Sequence, residues 1–217
     1  MIRAALFDMD GLLIDSERVY NRGIQAVMGG LGVNITDDML RRALGTNQAA
    51  THAIFAEGNP AYDGQALLRA LGEYIAENGY DRRMPLKPWA REILENLTAR
   101  GVLCALVTSS PADQAERYLG GPGLLPMFSA AVTGDLHLPS KPAPDVFLRA
   151  AAMLGVDIHD CAVLEDSWNG LRAGRAAGAV TIMVPDIVPY GPGIADCCDH
   201  VVRDLREAEA IILCRQP

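Results

Sequence analysis

The chain has 217 residues, half of them apolar, and a formal net charge of −8. This length and composition suit one sizeable domain with an insertion or two small domains, and they exclude intrinsic disorder. The negative charge argues against nucleic acid and anionic membranes as partners, because both require a positive surface. The longest apolar runs are far shorter than the ~20 residues that cross a bilayer, and Asp8 and Asp10 interrupt any signal peptide. We therefore expect a cytoplasmic protein.

The cysteines and histidines do not form a recognisable site. The five cysteines lack a paired CxxC spacing, and two of them lie in apolar strand-like segments, so we expect reduced thiols. The four histidines are scattered without the spacing of metal ligands. This gives a zinc site or a Ser-His-Asp triad little support.

The order of the predicted elements indicates an α/β fold. The apolar run of residues 2–7 predicts a buried strand, and the pattern then becomes helical from Asp15 to about residue 85. Short β-like runs then alternate with amphipathic helices, as in a parallel sheet. The later predicted strands are 102–107, 130–133, 161–164, 180–184 and 200–202. Pro88 and Pro142 are predicted in first turns of helices, and Gly101, Gly155 and Gly178 at helix ends.

The first strand must join the later sheet, so the helical stretch is an insertion. The predicted domains are a core of residues 1–14 and 86–217 and an all-helical cap of residues 15–85. A helical insertion that leaves the catalytic end of a sheet is well placed to close over a small substrate and exclude water.

Polar residues follow four of the predicted strands. They are Asp8 and Asp10 after the first, Thr108, Ser109 and Ser110 after the second, Lys141 after the third, and Glu165 and Asp166 after the fourth. Each segment alone has a structural explanation as a turn, a helix cap or an exposed lysine. Their coincidence at strand ends, where α/β sheets bind ligands, favours a phosphoryl-transfer site.

The residue types suit that chemistry. Asp8, Asp10 and Asp166, with Glu165 beside them, offer hard oxygen ligands for Mg²⁺, which together with Lys141 offsets the repulsion among carboxylates. Asp8 is the candidate nucleophile, and Asp10 is the candidate acid and base. Thr108 and Lys141 are candidates to hold the phosphoryl oxygens, with Ser109 as a further substrate contact.

These segments resemble the motifs of the haloacid dehalogenase superfamily. The stretches that carry the resemblance are Phe7-Asp8-Met9-Asp10-Gly11, Val107-Thr108-Ser109-Ser110, Ser140-Lys141-Pro142 and Leu164-Glu165-Asp166-Ser167. The beta-phosphoglucomutase-like and phosphoglycolate-phosphatase-like branch is the most similar. The resemblance implies a Rossmann-like core, a small helical cap and a Mg²⁺-dependent phosphohydrolase. It also implies Asp8 as nucleophile, Asp10 as acid/base, Thr108 and Lys141 on phosphate, and Asp166 on the metal.

The chain also departs from this pattern. Mutases of the branch have a histidine and an arginine where this chain has Tyr20 and the segment around Asn47 and Gln48, and a second phosphate needs such a cation. Asn47 and Gln48 are instead candidates for substrate contact. The usual Pro-Gly after the cap is Pro88-Trp89 here.

The sequence therefore predicts a phosphatase of a small phosphorylated metabolite, a sugar or polyol phosphate, acting through an aspartyl-phosphate. We expect a monomer or weak dimer. Two alternatives stay open, a sugar-phosphate mutase and a binding module without catalysis on the same fold.

Overall fold

The structure is a computed structural model that describes residues 1–43 and 48–214. Its strands are β1 Ala4–Phe7, β2 Leu103–Val107, β3 Ala130–Val132, β4 Cys161–Glu165, β5 Val180–Met183 and β6 His200–Val201. Its α-helices are α1 Ser16–Gly30, α2 Asp37–Ala43, α3 Gln48–Ala56, α4 Gly64–Glu77, α5 Ala90–Ala99, α6 Ala112–Ala115, α7 Asp145–Leu154, α8 Trp168–Ala177 and α9 Leu205–Cys214. A π-helical turn, Glu116–Gly120, continues α6.

The strands form one parallel sheet in the order β3-β2-β1-β4-β5-β6. Strand order reverses between β1 and β4, and open α/β sheets bind ligands beyond the carboxyl ends of strands at such a point. The α/β class and the parallel Rossmann-like sheet predicted from the sequence are confirmed. All six predicted strands are present, with limits that differ by one or two residues.

The sheet is covered by apolar packing, as a parallel sheet requires. All four residues of β1 are buried, and Leu6 shares one core cluster with Val163 of β4. Phe147 of α7 and Ala173 of α8 belong to the same cluster, so these two helices cover that face. Because the core holds the strands rigidly, residues at the strand ends have well-defined positions.

The chain divides into two compact units, one of Met1–Asp15 with Pro85–Pro217 and the other of Ser16–Met84. The second unit contains α1 to α4, and its described residues, 16–43 and 48–84, include no strand. It has its own apolar core, which is formed by Met28, Val33, Ile35, Leu40, Phe55 and Leu67. Within the described part of the chain, every helix is too short or too polar to cross a membrane.

Two predicted helix starts are wrong. The helix expected at Pro142 begins three residues later, at Asp145 with Pro144 as its N-cap, and the helix expected at Pro88 begins at Ala90. Between Pro88 and Ala90 the backbone of Trp89 is left-handed, which cannot be part of a helical turn. Gly155 and Gly178 do end their helices, each in the left-handed conformation.

Candidate active site

Backbone hydrogen bonds extend the sheet one residue beyond two of its strands. The Asp8 amide donates to the Leu164 carbonyl at 3.2 Å, and the Thr108 amide donates to the Val132 carbonyl at 2.9 Å. Asp8 and Thr108 are therefore held at the carboxyl-terminal edge, while Glu165 is the last residue of β4. Both Asp8 and Thr108 are buried. The sheet thus places these side chains at neighbouring strand ends beside the point where strand order reverses.

Lys141 joins two of these strand ends. Its Nζ lies 2.5 Å from Asp8 Oδ1, 2.6 Å from Glu165 Oε1 and 3.0 Å from the Val107 carbonyl. The lysine side chain is 7% exposed. Burial acts to lower the pKa of Lys141, but the charges of Asp8 and Glu165 outweigh it and the pKa is raised above its usual value. Lys141 is therefore a permanent cation within the site.

Glu165 is fully buried and surrounded by donors. Besides Lys141, the Ser167 hydroxyl donates to Glu165 Oε2 at 2.8 Å. Burial raises the pKa of Glu165 above its usual range and Asp8 acts in the same direction, whereas Lys141 and Ser167 oppose the rise. Ser167 also caps α8, since its hydroxyl accepts from the Gly170 amide at 3.1 Å. Glu165 therefore connects Lys141, through the Ser167 hydroxyl, to the start of α8.

Three buried carboxylates meet at this edge. Asp8, Glu165 and Asp166 each offer an oxygen, and these oxygens lie within 4.8 Å of one another. The Lys141 ammonium contacts two of the three groups. Buried like charges at this spacing repel one another, so an additional cation at the cluster is favourable. Hard carboxylate oxygens are the ligands that Mg²⁺ prefers, and the residues therefore fit such an ion.

Two glycines leave room for the carboxylates. A Cβ added to Gly11 would lie 2.1 Å from Asp166 Oδ2, and a Cβ on Gly170 would lie 1.9 Å from Glu165 Cδ. Gly11 also has a φ of +77°, in the tight turn where its amide donates to the Ile14 carbonyl at 3.0 Å. Any side chain at either position would displace a carboxylate of the cluster.

Asp10 lies at the same edge but outside the three-carboxylate group found among residues 1–43 and 48–214. Its Oδ2 accepts a hydrogen bond from the Ser110 hydroxyl at 2.8 Å. The Ser110 amide in turn donates to Thr108 Oγ1 at 3.0 Å. The ends of β1 and β2 are thus connected through Ser110.

The structure brings together most of the predicted site residues. Asp8, Thr108, Lys141, Glu165 and Asp166 lie at the strand ends described above, and Asp10 joins them through Ser110. The predicted substrate contact Ser109 is exposed. Of the predicted cap contacts, Asn47 lies outside the described residues. Gln48 is the first residue of α3, and its side chain is not among the described ones.

Three polar contacts in the unit that contains the sheet were not predicted from the sequence. Ser110 and Ser167 sit inside the motif segments, and their hydroxyls bond to Asp10 and Glu165. The third is an ion pair of 2.7 Å between Lys87 Nζ and Asp186 Oδ1. Asp186 follows β5, so the rule that polar residues at strand ends mark the functional edge would have found it.

Comparisons with known proteins agree with this geometry. The family model described as haloacid dehalogenase-like hydrolase matches residues 2–178. Hexitol phosphatase B of Escherichia coli is 36% identical over 187 residues, which are 85% of this chain and 84% of that protein. The phosphorylated carbohydrates phosphatase of Thermotoga maritima is 29% identical over 177 residues, 82% of each chain. A crystal structure of a HAD family hydrolase from Deinococcus radiodurans, with bound phosphate and sodium, has a TM-score of 0.83 at 26% identity and covers 97% of this chain and 95% of that one.

Proposed function

Because the chain belongs to the haloacid dehalogenase-like hydrolase family, we propose that it is a Mg²⁺-dependent phosphatase of a small phosphorylated metabolite. The proposed substrate class is a sugar or polyol phosphate. The names of relatives support this class, since one is a hexitol phosphatase and another a phosphatase of phosphorylated carbohydrates. The observation that carries the proposal is Lys141 held between Asp8 and Glu165, beside Asp166.

Asp8 is proposed as the nucleophile. One of its oxygens attacks phosphorus and forms an acyl phosphate, while the bond from phosphorus to the alcohol oxygen breaks. Lys141 Nζ donates a hydrogen bond to Asp8 Oδ1 at 2.5 Å, which fixes the orientation of the carboxylate for this attack. The same ammonium and the Thr108 hydroxyl would donate hydrogen bonds to the phosphoryl oxygens as their charge develops.

Asp10 is proposed as the proton carrier. It would give its proton to the departing alkoxide and then take one from the water that attacks the acyl phosphate, so that Asp8 is regenerated and phosphate is released. Its place two residues after Asp8, with its carboxylate bonded to Ser110, supports this role.

The metal would be held by Asp8 and Asp166, with Glu165 in the same cluster. When bound, Mg²⁺ supplies positive charge that offsets the charge of the transferring phosphoryl group. The protein itself contributes the second cation, Lys141.

Substrate selection is assigned to the helical unit, where Asn47 and Gln48 remain the proposed contacts. The cytoplasmic location and the monomeric or weakly dimeric state also remain predictions.

The direct test is phosphate release from p-nitrophenyl phosphate and from a panel of hexitol and sugar phosphates in the presence of Mg²⁺. We expect hydrolysis by the wild type and a loss of about 10⁴-fold or more in Asp8→Asn, which keeps the side-chain shape but removes the nucleophile. Asp113→Asn is the matched control, because Asp113 is an exposed carboxylate in the unit that also contains Asp8. Its rate of phosphate release should equal that of the wild type.

A folded, Mg²⁺-loaded wild type that releases no phosphate from any compound would contradict the proposal. Conversion of one sugar phosphate into its isomer without net release would identify the mutase alternative instead. Activity that is unchanged in Asp8→Asn would identify a different nucleophile.

A further inference from the structure

Ser110 makes contacts through all three of its polar groups. Its hydroxyl donates to Asp10 Oδ2 at 2.8 Å, its amide donates to Thr108 Oγ1 at 3.0 Å, and its carbonyl accepts from the Gly134 amide at 2.9 Å. Two of these contacts reach residues with proposed roles in the reaction. The third reaches the loop that follows β3.

The backbone of the loop that carries Ser110 is held from the β3 side by a backbone contact and by a side chain. Next to the Gly134 contact, both carboxylate oxygens of Asp135 accept from the Ala112 amide, at 2.9 and 3.1 Å. These contacts satisfy the amide of Ala112, the first residue of α6, which follows Ser110 and Pro111 directly. The position of the Ser110 backbone therefore does not depend on its own side chain, and loss of the hydroxyl leaves the loop in place.

A carboxyl group needs such a partner to have a defined orientation. The terminal torsion of aspartate is broad, so an unconstrained carboxyl group turns freely about it. A hydroxyl that donates to Oδ2 restricts this torsion and thereby the directions that Oδ1 can take. Proton transfer requires that the donor atom lie within hydrogen-bond reach of the oxygen that receives the proton.

We propose that Ser110 is a positioning residue that orients the Asp10 carboxyl group for proton transfer to the leaving oxygen. The inference rests on the proposed phosphatase function and deepens it. Ser110 holds Oδ2, and Oδ1 carries the proton to the alkoxide as the bond to phosphorus breaks. The same oxygen then takes a proton from the attacking water.

The dependence on the leaving group tests this role. A sugar alkoxide is strongly basic and needs a proton as it departs, whereas p-nitrophenolate leaves without one. We expect Ser110→Ala to lower kcat/KM for a hexitol phosphate about 10- to 100-fold and for p-nitrophenyl phosphate by only about threefold or less. The value of kcat should fall with both substrates, because water attack on the acyl phosphate also uses Asp10.

Ser110→Thr keeps the hydroxyl and should restore most of the kcat/KM for the hexitol phosphate. Ser129→Ala, a change at an exposed serine of the same unit, is the matched control and should leave both substrates unaffected. Thermal unfolding of each variant checks that the fold is kept.

Equal loss of kcat/KM for the two substrates, or no loss for the hexitol phosphate, would overturn the inference. So would a rise in KM with unchanged kcat, which would make Ser110 a binding contact. These outcomes are distinct from a failure of the proposed function, in which the wild type releases phosphate from neither compound.

Discussion

Trp89 adopts a backbone conformation that suits glycine. Its φ is 70° and its ψ is 8°, in the left-handed region, at the N-cap of α5. The branch that the chain resembles usually has glycine here, and the structure explains that preference. The indole compensates for the strain, because its N–H donates to Glu209 Oε2 at 2.7 Å and Arg206 lies 5.2 Å from its ring centre. The strained residue thus links the start of α5 to α9.

Two substitutions of Trp89 separate the cost of the left-handed backbone from the loss of the indole contacts. Trp89→Gly and Trp89→Ala lose the same indole contacts, but alanine keeps the unfavourable left-handed backbone. We expect both to destabilise the protein, and Trp89→Ala to be less stable than Trp89→Gly by about 1 kcal/mol. Urea unfolding measures the difference. An alanine variant as stable as the glycine variant would show that the left-handed conformation carries no cost.

At the scale of elements, two chain segments join the unit that contains the sheet to the helical insertion. They are the residues up to Asp15 and the residues from Pro85 onward, and they are hydrogen-bonded to each other. The Asp15 amide donates to the Pro85 carbonyl at 2.8 Å, and the Lys87 amide donates to the Leu13 carbonyl at 2.9 Å. Lys87 Nζ then lies 2.7 Å from Asp186 Oδ1 and 3.6 Å from Asp15 Oδ1. The Asp186 side chain is 1% exposed, so this is a buried ion pair, and loss of one member of a buried pair is destabilising.

We expect Lys87→Met to lower the free energy of unfolding by about 2–4 kcal/mol, because it removes the ammonium group that lies 2.7 Å from the buried Asp186 carboxylate. Arg82→Met removes a cation that is 89% exposed and should change stability by no more than about 0.5 kcal/mol. Urea unfolding of the two variants and the wild type makes the comparison. Equal stability of the lysine and arginine variants would contradict the prediction.

Asp199 connects β5 to the start of β6. Its Oδ2 accepts from the Thr181 amide at 2.9 Å and from the Thr181 hydroxyl at 3.1 Å, and its Oδ1 lies 3.0 Å from Arg175 Nη1. Burial acts to raise the pKa of Asp199, but the bonds to Thr181 and the charge of Arg175 outweigh it and lower the pKa. The folded state therefore favours the ionised carboxylate more than the unfolded state does.

This shift predicts a defined dependence of stability on pH. A carboxyl group whose pKa is lowered by folding stabilises the protein above the unfolded pKa of about 3.9, and the contribution disappears as pH falls through the folded pKa. We expect the wild type to be more stable than Asp199→Asn above about pH 5, with a difference that shrinks toward pH 3. Urea titrations at several pH values test this. A difference that stays constant with pH would contradict it.

At the scale of the whole molecule, the charge of −8 and the buried carboxylate cluster act in the same direction. The net charge attracts cations to the folded and the unfolded chain alike, whereas the cluster favours a divalent cation in the folded chain alone, because the three acids are apart in the unfolded chain. An ion that binds only the folded state stabilises it according to its concentration relative to the dissociation constant.

We expect Mg²⁺ at tenfold its dissociation constant to raise the midpoint of thermal unfolding by about 3–6 °C, equivalent to about 1.4 kcal/mol, and EDTA to reverse the rise. Asp166→Asn should remove most of the effect, whereas Asp113→Asn should keep it. NaCl at matched ionic strength corrects for general screening of the net charge. A rise of equal size in Asp166→Asn would locate the binding outside the cluster.

The α/β fold could be predicted from sequence because its signals are local. Each strand is a short apolar run, as in residues 161–164, and each connecting helix has a visible period. The exact ends of the strands and helices were less predictable, because they depend on contacts with other segments of the chain. β4 extends to Glu165, which pairs with Met183 of β5 and whose carbonyl accepts from the amide of Val184, the next residue, at 2.8 Å. The start of α5 depends on the conformation of Trp89.

The residue types of the candidate site were likewise visible in the sequence, as acids, hydroxyls and a lysine after strand-like runs. Their pairing was not, because Lys141 is 133 positions from Asp8 and 24 from Glu165, and spacing does not specify which atoms meet. The Ser110–Asp10 and Lys87–Asp186 contacts could not be predicted from spacing either, because they join residues about a hundred positions apart. Local composition therefore determines which elements form and which chemical groups stand at their ends. The sheet order 3-2-1-4-5-6, set by packing between distant segments, decides which of these groups become neighbours.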